Sequence, residues 1–437
     1  MTATGAVWRN WARTETARPI RVERPSSAGA VQRAVRAAAA SGLPIKAAGA
    51  GHSFTGIAVA IGVLLELDDL SGLVAVDRDR RYATILAGTR LSDVSRLIAG
   101  HGLALQNLGD IDRQTIAGAI STGTHGTGIA YPGLAGRVRA VTVVTGDGSL
   151  RHISEEDSPE LLPAIALGLG ALGVIVDITI ECVDAFVLRA VETPEPYAET
   201  VHAAEARARV SDHFEFYWFP HTDVALTKTN TRLPSTSRRA PLPRVRRWVD
   251  DDLMANGLYR AACATGAVVP VMVPPLNRAA TRLTGSRRFT DHSHRVFTTP
   301  RSVRFAEMEY AVPVGELAAV LDEIRRLIDA EGWRISFPVE VRFAAEDDVW
   351  LSTASGRESA YIAVHRYYRD AHEDYFRAVG EIAGRHGGRP HWGKIHYLGA
   401  QEIRSLYPRF DEFLAVREQF DPQRLFANPY LDRVLGP

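Results

Sequence analysis

Four groups of polar residues in this chain have types and spacings that can do chemistry. The first is Ala48-Gly49-Ala50-Gly51-His52-Ser53-Phe54, where glycines precede a histidine and a serine. Glycine permits tight turns and close backbone approach to a ligand because no Cβ intervenes. The histidine can be a nucleophile or a ligand, and the serine a small hydroxyl donor. The stretch fails as a dinucleotide fingerprint, because Phe54 stands where a small residue must let helix and strand pack. Taken by itself it also reads as an ordinary glycine-rich turn. The second group runs from Leu108-Gly109-Asp110-Ile111 through Gln114-Thr115-Ile116-Ala117-Gly118 to Ser121-Thr122-Gly123-Thr124-His125-Gly126-Thr127-Gly128. Small residues and hydroxyls at this density suit a chain that wraps a large ligand, and backbone amides can hold a pyrophosphate without fixed positive charge. A plain loop between sheet edges is the other reading.

The third group is Glu340 and Arg342, within Ser336-Phe337-Pro338-Val339-Glu340-Val341-Arg342-Phe343. Period two puts both on one face of a strand, about 7 Å apart. A carboxylate beside a guanidinium can bind vicinal hydroxyls and stabilise an alkoxide, although a structural ion pair uses the same residues. The fourth is Lys394, in Arg389-Pro390-His391-Trp392-Gly393-Lys394-Ile395-His396-Tyr397. At an effective dielectric near 20, a lysine about 4 Å from a developing anion contributes on the order of 4 kcal/mol. A solvated loop lysine contributes no such term. The chain has only three lysines, Lys46, Lys228 and Lys394, so a lysine within a motif carries information. His365 closes the apolar run Ala360-Tyr361-Ile362-Ala363-Val364 and reads equally as a core histidine. No histidine or cysteine spacing matches a metal site, so no metal is expected. A Gly-x-Ser-x-Gly elbow and a Walker loop are both absent.

The elements that must hold these groups mix strands and helices without strict alternation. Strands are expected at 20–25, 43–48 and 62–67, with a hairpin over 73–77 and 82–87 and further strands at 138–144 and 176–181. Helices are expected from Ser26 or Ser27 to Gly42 and from Leu91 onwards. The pattern argues for α+β over a doubly wound sheet. Glycine density falls around Val183-Asp184-Ala185, where the first domain is expected to end. In the second half, 214–219, 304–312, 336–343 and 360–365 read as strands, with helices over 314–331 and 374–386. Leu233 to Trp248 is rich in proline and arginine and reads as an exposed excursion.

A length of 437 residues implies more than one domain. Lysine plus arginine equals aspartate plus glutamate at 51 each, so no bulk field favours nucleic acid. Two cysteines make neither a disulfide framework nor a zinc cluster, which points to a reducing, cytoplasmic setting. No signal peptide is read at the start of the chain. The most apolar stretch, Leu161 to Val176, is too short for a bilayer span, which leaves room for peripheral membrane contact only.

In order and spacing, these motifs resemble the sugar-lactone and alditol oxidase branch of the vanillyl-alcohol-oxidase (PCMH-type) flavoproteins. The resemblance rests on Gly49-Ala50-Gly51-His52-Ser53, Gly118 with Thr122-Gly123-Thr124-His125-Gly126, Gly170-Ala171-Leu172-Gly173-Val174, Glu340-x-Arg342, His391-Trp392-Gly393-Lys394 and Asn428-Pro429-Tyr430-Leu431. It implies an FAD-binding domain of two α+β subdomains over residues 14–184. An α+β cap domain over 185–437 follows, with the extreme C-terminus returning to the first domain. It implies FAD joined covalently to His52 and lined by Ala48, Gly49, Ala50, Gly51, Ser53, Gly109, Asp110, Thr115, Gly118, Thr122, Gly123, Thr124 and His125, with Ile175 near the adenine. Arg342, Glu340, Lys394 and His365 are the implied catalytic residues, and Asp110 joins them in holding substrate. The implied reaction oxidises a sugar-derived lactone, with hydride passing to flavin N5 and electrons onward to O2 or another acceptor. An alditol is the alternative substrate. Gly109 stands where the family controls oxygen entry.

Overall fold

The computed structural model describes residues 2–3, 7–243, 257–299 and 302–437. Its largest element is an antiparallel sheet of eight strands. Their order is Arg287–His292, Phe186–Pro196, Val224–Pro234, His213–Trp218, Val339–Ala344, Ser359–Tyr367, Phe305–Pro313 and Arg389–Pro390. Strand side chains alternate between faces. Phe214, Phe216 and Trp218, then Val339, Val341 and Phe343, then Met308, Tyr310 and Val312, then Ile362 and Val364 all join one apolar cluster. The helices Tyr197–Val210, Leu317–Ala330 and Glu373–Arg385 cover that face, with Val320, Leu321, Ile324, Phe376, Val379 and Ile382 in the same cluster. The intervening positions fall on the opposite face, among them Glu215, Tyr217, Glu307, Glu309, Glu340, Arg342, Tyr361 and His365. One sheet thus has an oily side and a side loaded with charge.

The N-terminal half builds two smaller sheets. Arg21–Glu23, Val63–Glu66 and Ile45–Ala48 run parallel side by side. The helix Ala28–Ala40 makes the crossover, capped by the Ser27 side chain accepting from Ala30 N. Leu150–Ser154, Val138–Val144, Val174–Glu181, Tyr82–Leu86 and Leu73–Asp77 form an antiparallel sheet of five strands. The C-terminal helices Ala400–Leu406, Phe410–Phe420 and Pro429–Leu435 bury Ile403, Phe413, Phe420 and Leu431 in the same cluster as Val35, Val63 and Ile178. Polar ties hold this return in place. Lys46 Nζ donates to Gly170 O at 3.0 Å and Phe426 O at 3.2 Å, and Asn428 Nδ2 donates to Gly56 O at 3.0 Å.

Several elements differ from the sequence reading. Leu233 and Pro234 are not part of an excursion: they end the strand Val224–Pro234, which pairs along its length with Phe186–Pro196. Residues 244–248 of that expected excursion lie outside the described residues. Pro194 and Pro196 disguise their own strand. They are tolerated because the neighbouring strand pairs only with Val187 to Glu192, leaving the proline end an edge on that side. The Val314 helix opens with one 3-10 turn, Val314–Glu316, before Leu317–Ala330. The helices Tyr259–Val268 and Val273–Leu283 were not anticipated; prolines at the start of the second suit a first helical turn.

Candidate active site

The strand Ile45–Ala48 delivers the first glycine stretch directly against the second. A Cβ on Gly49 would meet Thr115 Oγ1 at 2.3 Å and lie 3.7 Å from Gly118 Cα. Thr115 is fixed there as the cap of the helix Ile116–Ser121, accepting from Gly118 N at 3.2 Å. Gly51 has φ +68°, and its carbonyl accepts from Trp11 N at 2.7 Å. The Trp11 ring in turn stacks on His52 at 5.8 Å between centroids. The next residues are tied across the chain: Phe54 N donates to Gly393 O at 2.7 Å, and Thr55 Oγ1 to Trp392 O at 3.1 Å. The histidine loop and the lysine turn are therefore one unit. Burial, with help from Arg90, Lys394 and Arg113, lowers the His52 pKa to about 4. Its ring is neutral at pH 7, with a free lone pair.

A cavity of about 730 Å³ lies between this unit and the charged face of the large sheet. His52, Ser53, Gly109, Asp110, Thr122, Thr124, His125, Glu340, Arg342, His365 and Lys394 all line it. The structure thus brings together eleven of the residues singled out in the sequence. Ala48, Gly49, Ala50, Gly51, Thr115, Gly118, Gly123 and Ile175 do not line it. Thr115, Gly49 and Gly118 form the junction of the two loops just described. Ile175 is buried in the strand Val174–Glu181.

Arg342 sits between two carboxylates. Its Nε donates to Glu215 Oε2 at 3.1 Å, and its Nη2 pairs with Glu340. Lys228 Nζ lies 3.1 Å from Glu215 Oε1, and Tyr217 OH donates to Glu340 Oε1 at 3.1 Å. Burial pushes Glu340 above the usual carboxylate range, and Arg342 only partly opposes it. Burial raises Glu215 as well, but Lys228 and Arg342 together outweigh it and hold it low. Burial disfavours the charge on Arg342, yet Glu340, Tyr217 and Glu215 keep it firmly protonated.

A second array lies beside the first on the same face of the sheet, two strands along. Glu307 pairs with Lys394 Nζ and lies 3.5 Å from His365 Nε2, whose other nitrogen lies 3.0 Å from Pro338 O. Burial raises Glu307, but Lys394 and His365 prevail and bring it to about 2. Two residues on, Glu309 meets His125 Nε2 at 3.3 Å. His125, Glu309 and His391 offer atoms within 4.8 Å of one another, close enough in principle for a metal ion. The hydrogen bonds argue against one. His391 Nδ1 accepts from Gly393 N at 3.0 Å, which places its proton on Nε2 and removes it as a ligand. Two ligand atoms remain, fewer than the three protein ligands of a catalytic zinc.

Glu215, Tyr217, Lys228, Glu307 and Glu309 were missed from the sequence. The signal for Glu307 and Glu309 was present: they are two apart in a strand, as are Glu340 and Arg342. Lys228 is one of three lysines, and all three have buried or paired ammonium groups.

Two glycine loops closing on each other, a neutral histidine and a cavity reaching an ion-paired sheet make one site in an α+β fold, and a match to an FAD-binding domain makes it that of a flavoprotein. A family model described as FAD binding domain matches residues 19–154, and one described as D-arabinono-1,4-lactone oxidase matches residues 178–434. The chain belongs to the D-arabinono-1,4-lactone oxidase family. It is 40% identical to L-gulono-1,4-lactone dehydrogenase of Mycobacterium tuberculosis, over 99% of both chains. It is 32% identical to L-gulonolactone oxidase of Bos taurus, over 98% of both. The solved cholesterol oxidase from B. sterolicum shares its fold, with a TM-score of 0.84 at 18% identity, covering 100% of this chain and 97% of that one.

Proposed function

We infer that this chain oxidises a sugar-derived aldonolactone, of the class of L-gulono-1,4-lactone, at the hydroxyl next to the carbonyl. FAD is the immediate electron acceptor. One observation carries the reading: a single cavity joins the wall bearing His52 and Lys394 to the sheet face bearing Glu340 and Arg342. The relatives named for gulonolactone support the substrate class. The residues also fit the cofactor, since Ser53, Gly109, Thr122 and Thr124 give the cavity a wall of small and hydroxyl-bearing residues, on loops that pack closely because Gly49 has no Cβ to meet Thr115. When bound, the flavin supplies a two-electron acceptor for the hydride leaving the CH–OH carbon.

The chain's own residues do the rest. A Glu340 carboxylate oxygen accepts from the substrate hydroxyls, and its raised pKa suits it to take the proton that leaves the reacting one. The Arg342 guanidinium donates to the oxygen as charge develops there. Lys394, held by Glu307, adds a second positive charge at the wall beside His52. Asp110 and His365 complete the substrate side of the cavity. His52 would hold the flavin through a covalent link, and the lowering of its pKa by burial favours the neutral imidazole that such a bond requires. Residues 14–184 form the FAD-binding part and 185–437 the cap, with the extreme C-terminus returning to the FAD-binding part, in a cytoplasmic protein whose two cysteines are free and buried.

Anaerobic mixing of the yellow holoenzyme with L-gulono-1,4-lactone should bleach the flavin, and readmitted air then distinguishes oxygen from another acceptor. Bleaching by xylitol or sorbitol with none by any lactone would overturn the substrate assignment. Acid precipitation tests the link separately. Flavin should stay in the wild-type pellet and pass to the supernatant in His52→Ala.

A further inference from the structure

Five charged side chains stand in register across the charged face of the large sheet. Arg287 is opposite Glu192, Glu192 opposite Lys228, and Lys228 opposite Glu215 on successive strands. Glu215 in turn lies beside Arg342, its Oε2 3.1 Å from Arg342 Nε. The row therefore alternates in sign from strand to strand. Arg287 Nη2 donates to Glu192 Oε1 at 3.2 Å, and Lys228 Nζ lies 3.1 Å from Glu215 Oε1. Beyond Arg342 the next position is Tyr361, whose ring stacks with that of His125 at 3.6 Å between centroids. The wall that carries the glycine loops closes the row at that end. The other end runs away from it, to the edge strand Arg287–His292.

Burying such a row carries a desolvation cost. Glu192, Glu215 and Lys228 are 6%, 5% and 8% exposed, and buried ion pairs are often no more stabilising than apolar side chains of similar volume. The opposite face of the sheet holds such side chains, Phe214, Phe216 and Val341 among them. The row is also open to a ligand, since Arg342, Lys228, Glu192 and Arg287 all line the cavity. Among the described residues Glu215 is the one ion-pair partner of Lys228, so two of the three ammonium N–H groups remain to be satisfied.

Reach decides what the row can hold. Neighbouring strands lie about 4.8 Å apart, so Lys228 stands about 10 Å from Arg342 and Arg287 about 19 Å. A six-carbon chain advances about 1.3 Å per bond and spans about 6 Å. A plain aldonolactone with its reacting hydroxyl at Arg342 leaves most of the row untouched. Alternating signs give no net field for a phosphate or another anion. They offer donors and acceptors in turn, which suits the hydroxyls of a sugar ring.

We propose that the row from Lys228 to Arg287 is a second subsite, taking a neutral sugar unit joined to the lactone at the end remote from the reacting hydroxyl. This rests on the aldonolactone reading above. Lys228 donates to the hydroxyls nearest the lactone, and the Glu192–Arg287 pair accepts from and donates to those further out.

The test uses the full-length holoenzyme with L-gulono-1,4-lactone and its 6-O-β-D-glucosyl derivative, and calorimetry with the 2-deoxy analogues of both. The analogues lack the reacting hydroxyl and report Kd without turnover. The glucosylated analogue should bind about tenfold tighter than the plain one or better, and the glucosylated lactone should show a lower KM with kcat little changed. Glu192→Gln with Arg287→Met removes the outer pair together, so neither charge is left alone. The double variant should cancel the advantage while flavin absorbance and the kcat and KM of the plain lactone stay at wild-type values. Equal or weaker binding of the glucosylated analogue would overturn the proposal, as would an advantage that survives in the double variant. Tighter binding of the 2-deoxy lactone 6-phosphate than of the glucosylated analogue would also overturn it, by making the row an anion site. A plain lactone that leaves the flavin oxidised, while the glucosylated analogue still binds tighter, would overturn the aldonolactone oxidation and support the subsite.

Discussion

Replacing Arg342 by methionine keeps much of the side chain's length and removes its charge. In the proposed reaction that charge lies within hydrogen-bond reach of the oxygen that becomes negative, about 3 Å, and at an effective dielectric near 20 this is worth on the order of 5 kcal/mol. The Glu215 and Glu340 carboxylates share the same guanidinium, so part of that attraction is already spent. Removing a single oxyanion donor costs about 3–4 kcal/mol in comparable sites, or roughly 100- to 1000-fold in rate. Anaerobic stopped-flow reduction of the flavin at saturating lactone isolates that step. The limiting rate of Arg342→Met should fall by this factor while half-saturation changes little. A limiting rate within about threefold of wild type, with half-saturation raised instead, would refute a role specific to the transition state. Stability gives a second readout. Glu340 is already raised above its ordinary 4.5, and losing Arg342 moves it higher. A raised carboxylate favours the fold below its unfolded pKa, and that contribution is lost as pH rises through the folded value. The melting-temperature gap between variant and wild type should therefore widen from pH 5 to pH 8. An equal gap at both would sink the electrostatic account of this pair.

Three further outcomes are expected. Gly51→Ala places a Cβ no closer than 3.5 Å to Trp8, so its cost is that of the left-handed backbone at φ +68°, about 1–2 kcal/mol, visible as a melting point lowered by a few degrees. A melting point equal to wild type would show that the turn adopts another backbone conformation. Glu307, pulled from 4.5 to about 2, contributes stability present above pH 4.5 and lost as pH falls towards 2. Urea titrations of Glu307→Gln between pH 3 and 6 should be flatter with pH than wild type, and parallel curves would contradict the pairing. Lys46, lowered from 10.5 to about 7 by burial and Arg417, binds its proton more tightly when unfolded, so wild-type stability should rise between those values. The rise is on the order of 5 kcal/mol at most, and Lys46→Met should remove it from urea titrations at pH 7 and 9.5; an unchanged slope would reject the assignment.

Much of the site was legible because its signals are local. A glycine-rich stretch is visible in a few letters, and Glu340 with Arg342 needs only the two-residue period of a strand. Lys394 stood out because lysine is scarce here. The partners of these residues were not legible, for a physical reason. Glu215 reaches Arg342 only because His213–Trp218 pairs with Val339–Ala344, and no local pattern announces which strands become neighbours. Glu307 likewise meets Lys394 through a fold that brings residues far apart in sequence together. Prolines hid Phe186–Pro196, since sequence does not say which end of a strand will be an edge. The helices after Gly257 were obscured differently: Leu258, Ala261, Leu276 and Ala279 line the cavity and do not pack into a core, so no continuous core-facing stripe marks them.

The hydrogen bond from Phe54 N to Gly393 O has a consequence for how the protein is made. On the ribosome His52 emerges 340 residues before Trp392, and Gly393 and Asn428, which also anchor its stretch of chain, follow later still. Over that interval the nascent chain carries the loop without the contacts that fix its shape. Cofactor capture in its final geometry must wait for those residues, so a chain that stalls before them has the histidine in place and nothing to hold it.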